Sequence, residues 1–253
     1  MIALTALLAA LFGVGVTLWL AGPAAMATSS PFGGTPAIGA LFSVSDGRLG
    51  SHFCTASVVD SPGGDLLVTA AHCVAGYSDS APAGLAFVPG YDQGSVPYGV
   101  WPVTRIFVDQ AWASSSDPDD DVAFLTVGQS RSGTSIESVT GAEELGIGVR
   151  ASGTLTVIGY PESEDQPIAC QNRVSSFSSR QMQFDCRGFT DGTSGSPLLT
   201  DVDTATGDGI VLGVIGGYQQ GGDTPDISYA ATLGTSVQAL YDQASVPVGS
   251  APR

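Results

Sequence analysis

Lysine is absent from this 253-residue chain; all eight basic residues are arginine, against 24 Asp and Glu, for a formal charge of −16. Such a surface repels a phosphate backbone, which excludes nucleic acid as a natural partner. The acidity itself reads as solubility. Charged residues are scarce at 13%, which excludes long solvated helices. There are only two histidines and no CxxC spacing, so a zinc centre lacks its usual donors. Beyond the first 22 residues no apolar run reaches spanning length without a charge or turn residue.

What is abundant points to a β protein. Glycine is high at 34 residues, and 43% of the chain is hydrophobic, enough for a core and too much for disorder. Short apolar runs alternate with Gly, Pro, Asp and Ser turns at 37–44, 54–60, 66–70, 84–88, 100–108, 122–127, 153–158, 181–185, 197–199, 210–215 and 227–233. That rhythm predicts an all-β sandwich or barrel pair. Helical periodicity is confined to Thr235–Ala244, where Val237, Leu240 and Tyr241 share a face behind a Thr or Ser cap.

The start of the chain reads as a targeting segment. Ile2 to Gly22 is apolar apart from Thr5 and Thr17, and Ala25-x-Ala27 has the small residues of a cleavage site. No Arg precedes the run, and it is long enough to cross a bilayer. The readings are a signal peptide over 1–27, removed after Ala27, or an uncleaved anchor. Residues 28–36 read as a linker or short pro-segment. Four cysteines behind an export signal suggest two disulfides. Pairing by proximity, Cys54 with Cys73 and Cys170 with Cys186, closes two short loops, each stabilising by about 3 kcal/mol in a chain-entropy account.

Three segments carry chemistry. His72 lies in Val68-Thr69-Ala70-Ala71-His72-Cys73, where an apolar strand runs into a small-residue turn. Taken alone it is a structural histidine at a strand end. His52, just before Cys54, reads as structural, hydrogen-bonded near the site. Ser194 lies in Asp191-Gly192-Thr193-Ser194-Gly195-Ser196-Pro197, and its flanking glycines permit a tight turn that aims the Gly192 and Ser194 N–H groups into one nest. Taken alone it is an ordinary surface turn. An α/β-hydrolase elbow needs Gly-x-Ser-x-Gly, and Ser196 breaks that pattern. Asp117, Asp119 and Asp120 read as a solvated loop, while Asp121 abuts the apolar run Val122–Leu125 and needs a partner if buried. A weak hydroxyl nucleophile, an imidazole base and an orienting carboxylate are the parts that acyl transfer requires.

These segments, in the order His, Asp, Ser, resemble the chymotrypsin-like serine peptidases, over roughly residues 37–244. A Ser-His-Asp triad is the known catalytic pattern of that family. The resemblance implies two packed six-stranded antiparallel β-barrels, at 37–130 and from 131 on, followed by the C-terminal helix. It implies His72, Asp121 and Ser194 as catalytic triad and Gly192 with Ser194 as oxyanion hole. Cys54 matches the partner of Cys73, and Gly213–Gly217 resembles the strand lining the substrate pocket. Gly188, Gly216 and Gly217 are the implied pocket residues. No metal or organic cofactor is required. The implied protein is a secreted, monomeric endopeptidase acting on proteins or peptides, membrane-bound only if the leader stays. The alternatives are a silent protease-like binding module at the cell surface and an esterase. The departures concern regulation and specificity. Thr193 replaces the Asp that receives a freed N-terminal amine, so that activation switch is absent. Ser196 is similar to some bacterial glutamyl-endopeptidase-like members, yet Gly213–Gly217 lacks their pocket histidine. Gly188 stands where trypsin has its basic-residue anchor. The residue preference stays open, leaning to apolar or aromatic side chains.

Overall fold

The computed structural model describes residues 26–77, 79, 84–129 and 133–246; the apolar run Ile2–Gly22, and with it most of the leader expected over 1–27, lies outside these. Two six-stranded antiparallel barrels make up the fold. The first contains β1 (Ile38–Ser45), β2 (Arg48–Val59), β3 (Leu66–Thr69), β4 (Leu85–Pro89), β5 (Trp101–Val108) and β6 (Ala123–Val127). They close in the order β1-β2-β3-β6-β5-β4. The second contains β7 (Thr154–Gly159), β8 (Ile168–Ser176), β9 (Gln181–Arg187), β10 (Pro197–Thr200), β11 (Ile210–Ile215) and β12 (Ile227–Thr232). Its circuit, β7-β8-β9-β12-β11-β10, repeats that of the first.

The packing explains why so many strands read as unbroken apolar runs. Side chains alternate across a strand. In β3, Leu67 fills the first barrel, while Leu66 and Val68 face the seam between the barrels. In β6, Leu125 points inward and Phe124 to the seam. The second barrel repeats this: Val157, Leu198 and Leu212 lie inside, and Ile158, Leu199 and Val211 on the seam. Both faces of β3 and β6 are buried, and the polar residues there, Thr69 and Thr126, hydrogen-bond through their hydroxyls.

The helix over Thr235–Ala244 has the boundaries the periodicity predicts, and it closes the seam with Val237, Leu240 and Ala244. Tyr241 packs on Phe124 and donates its hydroxyl to the Asp60 carbonyl at 3.0 Å. Its N-cap is Gly234 with no side-chain cap bond, not the expected Thr or Ser, because Thr235 is already the first helical residue. Both disulfides pair by proximity, Cys54 with Cys73 and Cys170 with Cys186. The 28–36 stretch lies along the second barrel: Ala27–Thr28 pairs with Cys186–Arg187, and Ser30–Pro31 with Ile168–Ala169. Among the described residues no helix is long and apolar enough to cross a membrane.

Candidate active site

Each candidate side chain sits where a strand gives way to a tight turn at the barrel seam. His72 belongs to a short 3-10 turn, Ala71–Val74, that follows β3 and is tied to β2 by the Cys54–Cys73 disulfide. Asp121 leaves another 3-10 turn, Pro118–Asp120, capped by the Asp117 side chain, and leads into β6. Ser194 occupies the turn before β10, between Gly192 and Gly195, whose φ angles are +92° and +82°. A Cβ on Gly195 would lie 2.1 Å from the Thr55 carbonyl oxygen, so only glycine lets this turn seat against β2.

The buried Asp121 carboxylate is surrounded by donors. Oδ1 accepts the His72 backbone N–H at 2.8 Å; Oδ2 accepts the His72 ring at Nδ1, 2.8 Å, and the Gly217 N–H at 2.7 Å. With Nδ1–H spent on the carboxylate, the lone pair is left on Nε2, the nitrogen free to take a proton. His72 and Ser194 line one cleft of about 1060 Å³. Among the described residues neither Nε2 of His72 nor the Ser194 hydroxyl has a hydrogen-bond partner. Such contacts commonly tighten only when substrate enters. The N–H groups of Gly192 and Ser194 likewise donate to no acceptor among the described residues, whereas those of Thr193, Gly195 and Ser196 are all satisfied. Two adjacent free donors beside a hydroxyl form a place for an anion. Thr193 is buried, and its hydroxyl closes the turn on the Thr190 carbonyl at 2.7 Å.

The structure adds to the sequence expectations at three points. Asp120 is not solvated: it is 5% exposed, paired with Arg180 and accepting the Ser236 hydroxyl at 2.7 Å. This network spans the seam, a long-range pairing that sequence spacing cannot show. Asp119 is also engaged, by the Gln181 amide at 2.8 Å. Second, the cleft wall is formed by Phe189, Thr190, Ile215, Gln219–Pro225 and Ser228, and Gly188, Gly216 and Gly217 adjoin these in sequence. Gly188 is bonded to the Pro225 carbonyl at 2.9 Å and sits against Ser29, while Gly217 is taken up by Asp121. The chain kinks after Gly217 into Tyr218–Gly221, which moves the wall onward in sequence. Third, strand β8 was not among the expected elements.

Glu162, Asp191 and Asp223 also line the cleft, and among the described residues no arginine does. His52 donates its Nε2–H to the Glu164 carbonyl at 3.1 Å, on the loop that carries Glu162. Burial pushes its pKa below the usual histidine range. Cys54, Cys73 and His72 approach one another closely, yet the two sulfurs are bonded together and offer a metal no thiolate.

The model of the trypsin-like peptidase domain matches residues 50–214. No curated protein matches the chain by sequence. Among solved structures, the protease Anisep from Arthrobacter nicotinovorans is similar at a TM-score of 0.71 and 21% identity, covering 86% of this chain and 99% of its own. The thermostable serine protease AL20 from an extremophilic microorganism is similar at 0.69 and 23%, covering 83% and 97%. A Glu endopeptidase is similar at 0.64 and 16%, covering 87% and 98%. At these identities the likeness to solved structures is one of fold.

Proposed function

The chain belongs to the trypsin-like peptidase family and is a serine-type endopeptidase, and from that premise we propose that His72, Asp121 and Ser194 form its catalytic triad. The observation that carries this reading is the buried Asp121 carboxylate bonded to His72 Nδ1 at 2.8 Å, with Ser194 in the same cleft. His72 Nε2 takes the Ser194 proton as the hydroxyl attacks the peptide carbonyl. Asp121 holds the ring in the required tautomer and balances its charge once it is protonated. The Gly192 and Ser194 N–H groups receive the oxyanion. His72 then protonates the leaving amine, and water, activated by the same base, releases the acyl group from Ser194.

Phe189 and Ile215 give the pocket apolar wall, and Ser228, 3% exposed, gives it a hydroxyl. This supports a preference for apolar or aromatic side chains at the scissile bond. We place the mature enzyme outside the cell, as a monomer acting on proteins or peptides, a reading supported by two disulfides. Labelling with a fluorophosphonate probe tests the triad. Wild type should label and cleave a peptide amide, while Ser194→Ala and His72→Ala should do neither yet keep the wild-type melting profile. Labelling of Ser194→Ala would overturn the assignment.

A further inference from the structure

The turn that presents the two free N–H groups is not self-supporting. Gly192 carries no side chain to restrict its rotation, and its φ of +92° is one of several conformations a glycine visits at little cost. Restraint also reaches it from outside, and two of the bonds involved come from one residue of the other barrel. Thr55, fully buried on β2, donates its backbone N–H to the Ser194 carbonyl at 2.8 Å. Its hydroxyl donates to the Gly192 carbonyl at 3.1 Å and accepts the Tyr160 N–H at 2.9 Å. Its own carbonyl accepts the Thr69 hydroxyl at 2.7 Å.

We propose that Thr55 is a positioning residue for the oxyanion hole, acting across the seam through its side-chain hydroxyl. This rests on the triad reading above. The direction of the hydroxyl bond is fixed by chemistry. An amide N–H can only donate, so Tyr160 occupies a lone pair and the single hydroxyl proton is left for Gly192. Thr55 thus holds the Gly192 and Ser194 carbonyls, whose peptide groups flank the one that carries the Ser194 N–H. From the other side the Glu162 N–H binds the Asp191 carbonyl at 2.7 Å. In a trans peptide the N–H points opposite to its carbonyl, so this bond turns the Gly192 N–H away from Glu162. Valine at position 55 keeps the shape of threonine and removes the bond. It leaves the Gly192 carbonyl and the Tyr160 N–H unpaired, and the peptide linking Gly192 to Thr193 gains freedom to rotate.

The test compares Thr55→Val and Thr55→Ser with wild type on a peptide anilide, all rates expressed per site titrated with a fluorophosphonate. Loss of a direct oxyanion donor costs 10²–10³ in kcat, so loss of its support is expected to lower kcat about 10- to 100-fold in Thr55→Val. KM should stay within about threefold, because ground-state binding does not use the hole. Thr55→Ser keeps the hydroxyl and should stay near wild type. A peptide boronic acid, which binds Ser194 as a tetrahedral anion, should weaken by the same factor as kcat falls. If Thr55→Val does not fold, Thr55→Ala, which leaves room for a water, is judged by the same readouts. Wild-type kcat per titrated site in the variant that lacks the hydroxyl overturns the proposal, as does boronate affinity that does not follow kcat. A wild type that neither labels nor cleaves would instead sink the triad reading, and this inference with it.

Discussion

Asp121 and Glu143 are both fully buried carboxyl groups on the seam between the barrels, and their surroundings differ. Asp121 accepts three N–H groups, two from His72 and one from Gly217. Glu143 accepts one, from Gly209 at 2.5 Å, and its Oε1 has no partner among the described residues. Its backbone is stitched to β2 through Val58 and Asp60, while its carboxyl group reaches into the second barrel beside Asp208. Burial, opposed weakly by the Gly209 N–H and reinforced by the Asp208 charge, pushes its pKa up to about 8. Equal burial therefore comes with unequal hydrogen bonding: three N–H groups surround the Asp121 carboxylate, and one meets Glu143.

Breaking the well-satisfied member should have the largest effect. Asp121→Asn keeps the shape and removes the charge, and an amide nitrogen facing His72 Nδ1 imposes the wrong tautomer. The expected loss in kcat is about 10⁴-fold, with KM nearly unchanged. Anilide hydrolysis across the pH range reads it, and a loss below tenfold would mean that Asp121 does not orient the base.

The under-satisfied member should show itself in stability. Glu143 holds its proton in the fold well above the ordinary glutamate range, whereas the unfolded chain releases it near 4.5. Between these values the native state binds more protons, so stability falls as pH rises toward about 8 and levels off above it. The loss attached to this one group is at most about 5 kcal/mol. Glu143→Gln removes it and adds a donor near Asp208, whose Oδ1 also lacks a partner. Denaturant unfolding at pH 5 and pH 9 should show the variant gaining stability over wild type only at the higher pH. An equal difference at both would break the comparison.

Arg180→Ala asks whether Asp121 is held by its own donors or by its neighbour. Arg180 pairs with Asp120 and donates to the Asp119 carbonyl at 3.1 Å, but makes no bond to Asp121. Its side chain is 39% exposed, so solvent screens the pair, and the Ser236 hydroxyl still serves Asp120 in its absence. The expected cost is about 1–2 kcal/mol of stability with kcat within a few-fold of wild type. A drop in kcat comparable with that of Asp121→Asn would show that the acidic turn works as one unit.

The first barrel was more legible in the sequence than the second, for a physical reason. Its strands lie between a barrel interior and the seam, so runs such as Leu66-Leu67-Val68 are apolar throughout. Strand β8 of the second barrel, Ile-Ala-Cys-Gln-Asn-Arg-Val-Ser-Ser, exposes much of its length and carries no such run. The turns at His72, Asp121 and Ser194 were legible because small residues and glycines crowd there. Thr55 was not: one threonine in a strand announces nothing until Gly192, Ser194 and Tyr160, over a hundred residues away, are folded around it. The Gly217 N–H is likewise taken by Asp121, nearly a hundred residues away, just before the Tyr218–Gly221 turn, a pairing that sequence spacing does not announce.

The smallest effect expected comes from the charge of the cleft. Glu162, Asp191 and Asp223 line it without a compensating arginine, although each is exposed. In a water-like dielectric a charge several ångströms away contributes about 0.5 kcal/mol, so two or three together give a several-fold bias. Peptides with Arg or Lys flanking the scissile bond should be cleaved about three- to fivefold faster, by kcat/KM, than the same peptides with Asp or Glu. The bias should shrink in 0.5 M salt, where screening acts over a few ångströms. Asp191→Asn and Asp223→Asn together should reduce it without altering cleavage of an uncharged peptide. A preference that survives both salt and these substitutions would arise from pocket shape, and would leave the acidic cleft without influence on substrate choice.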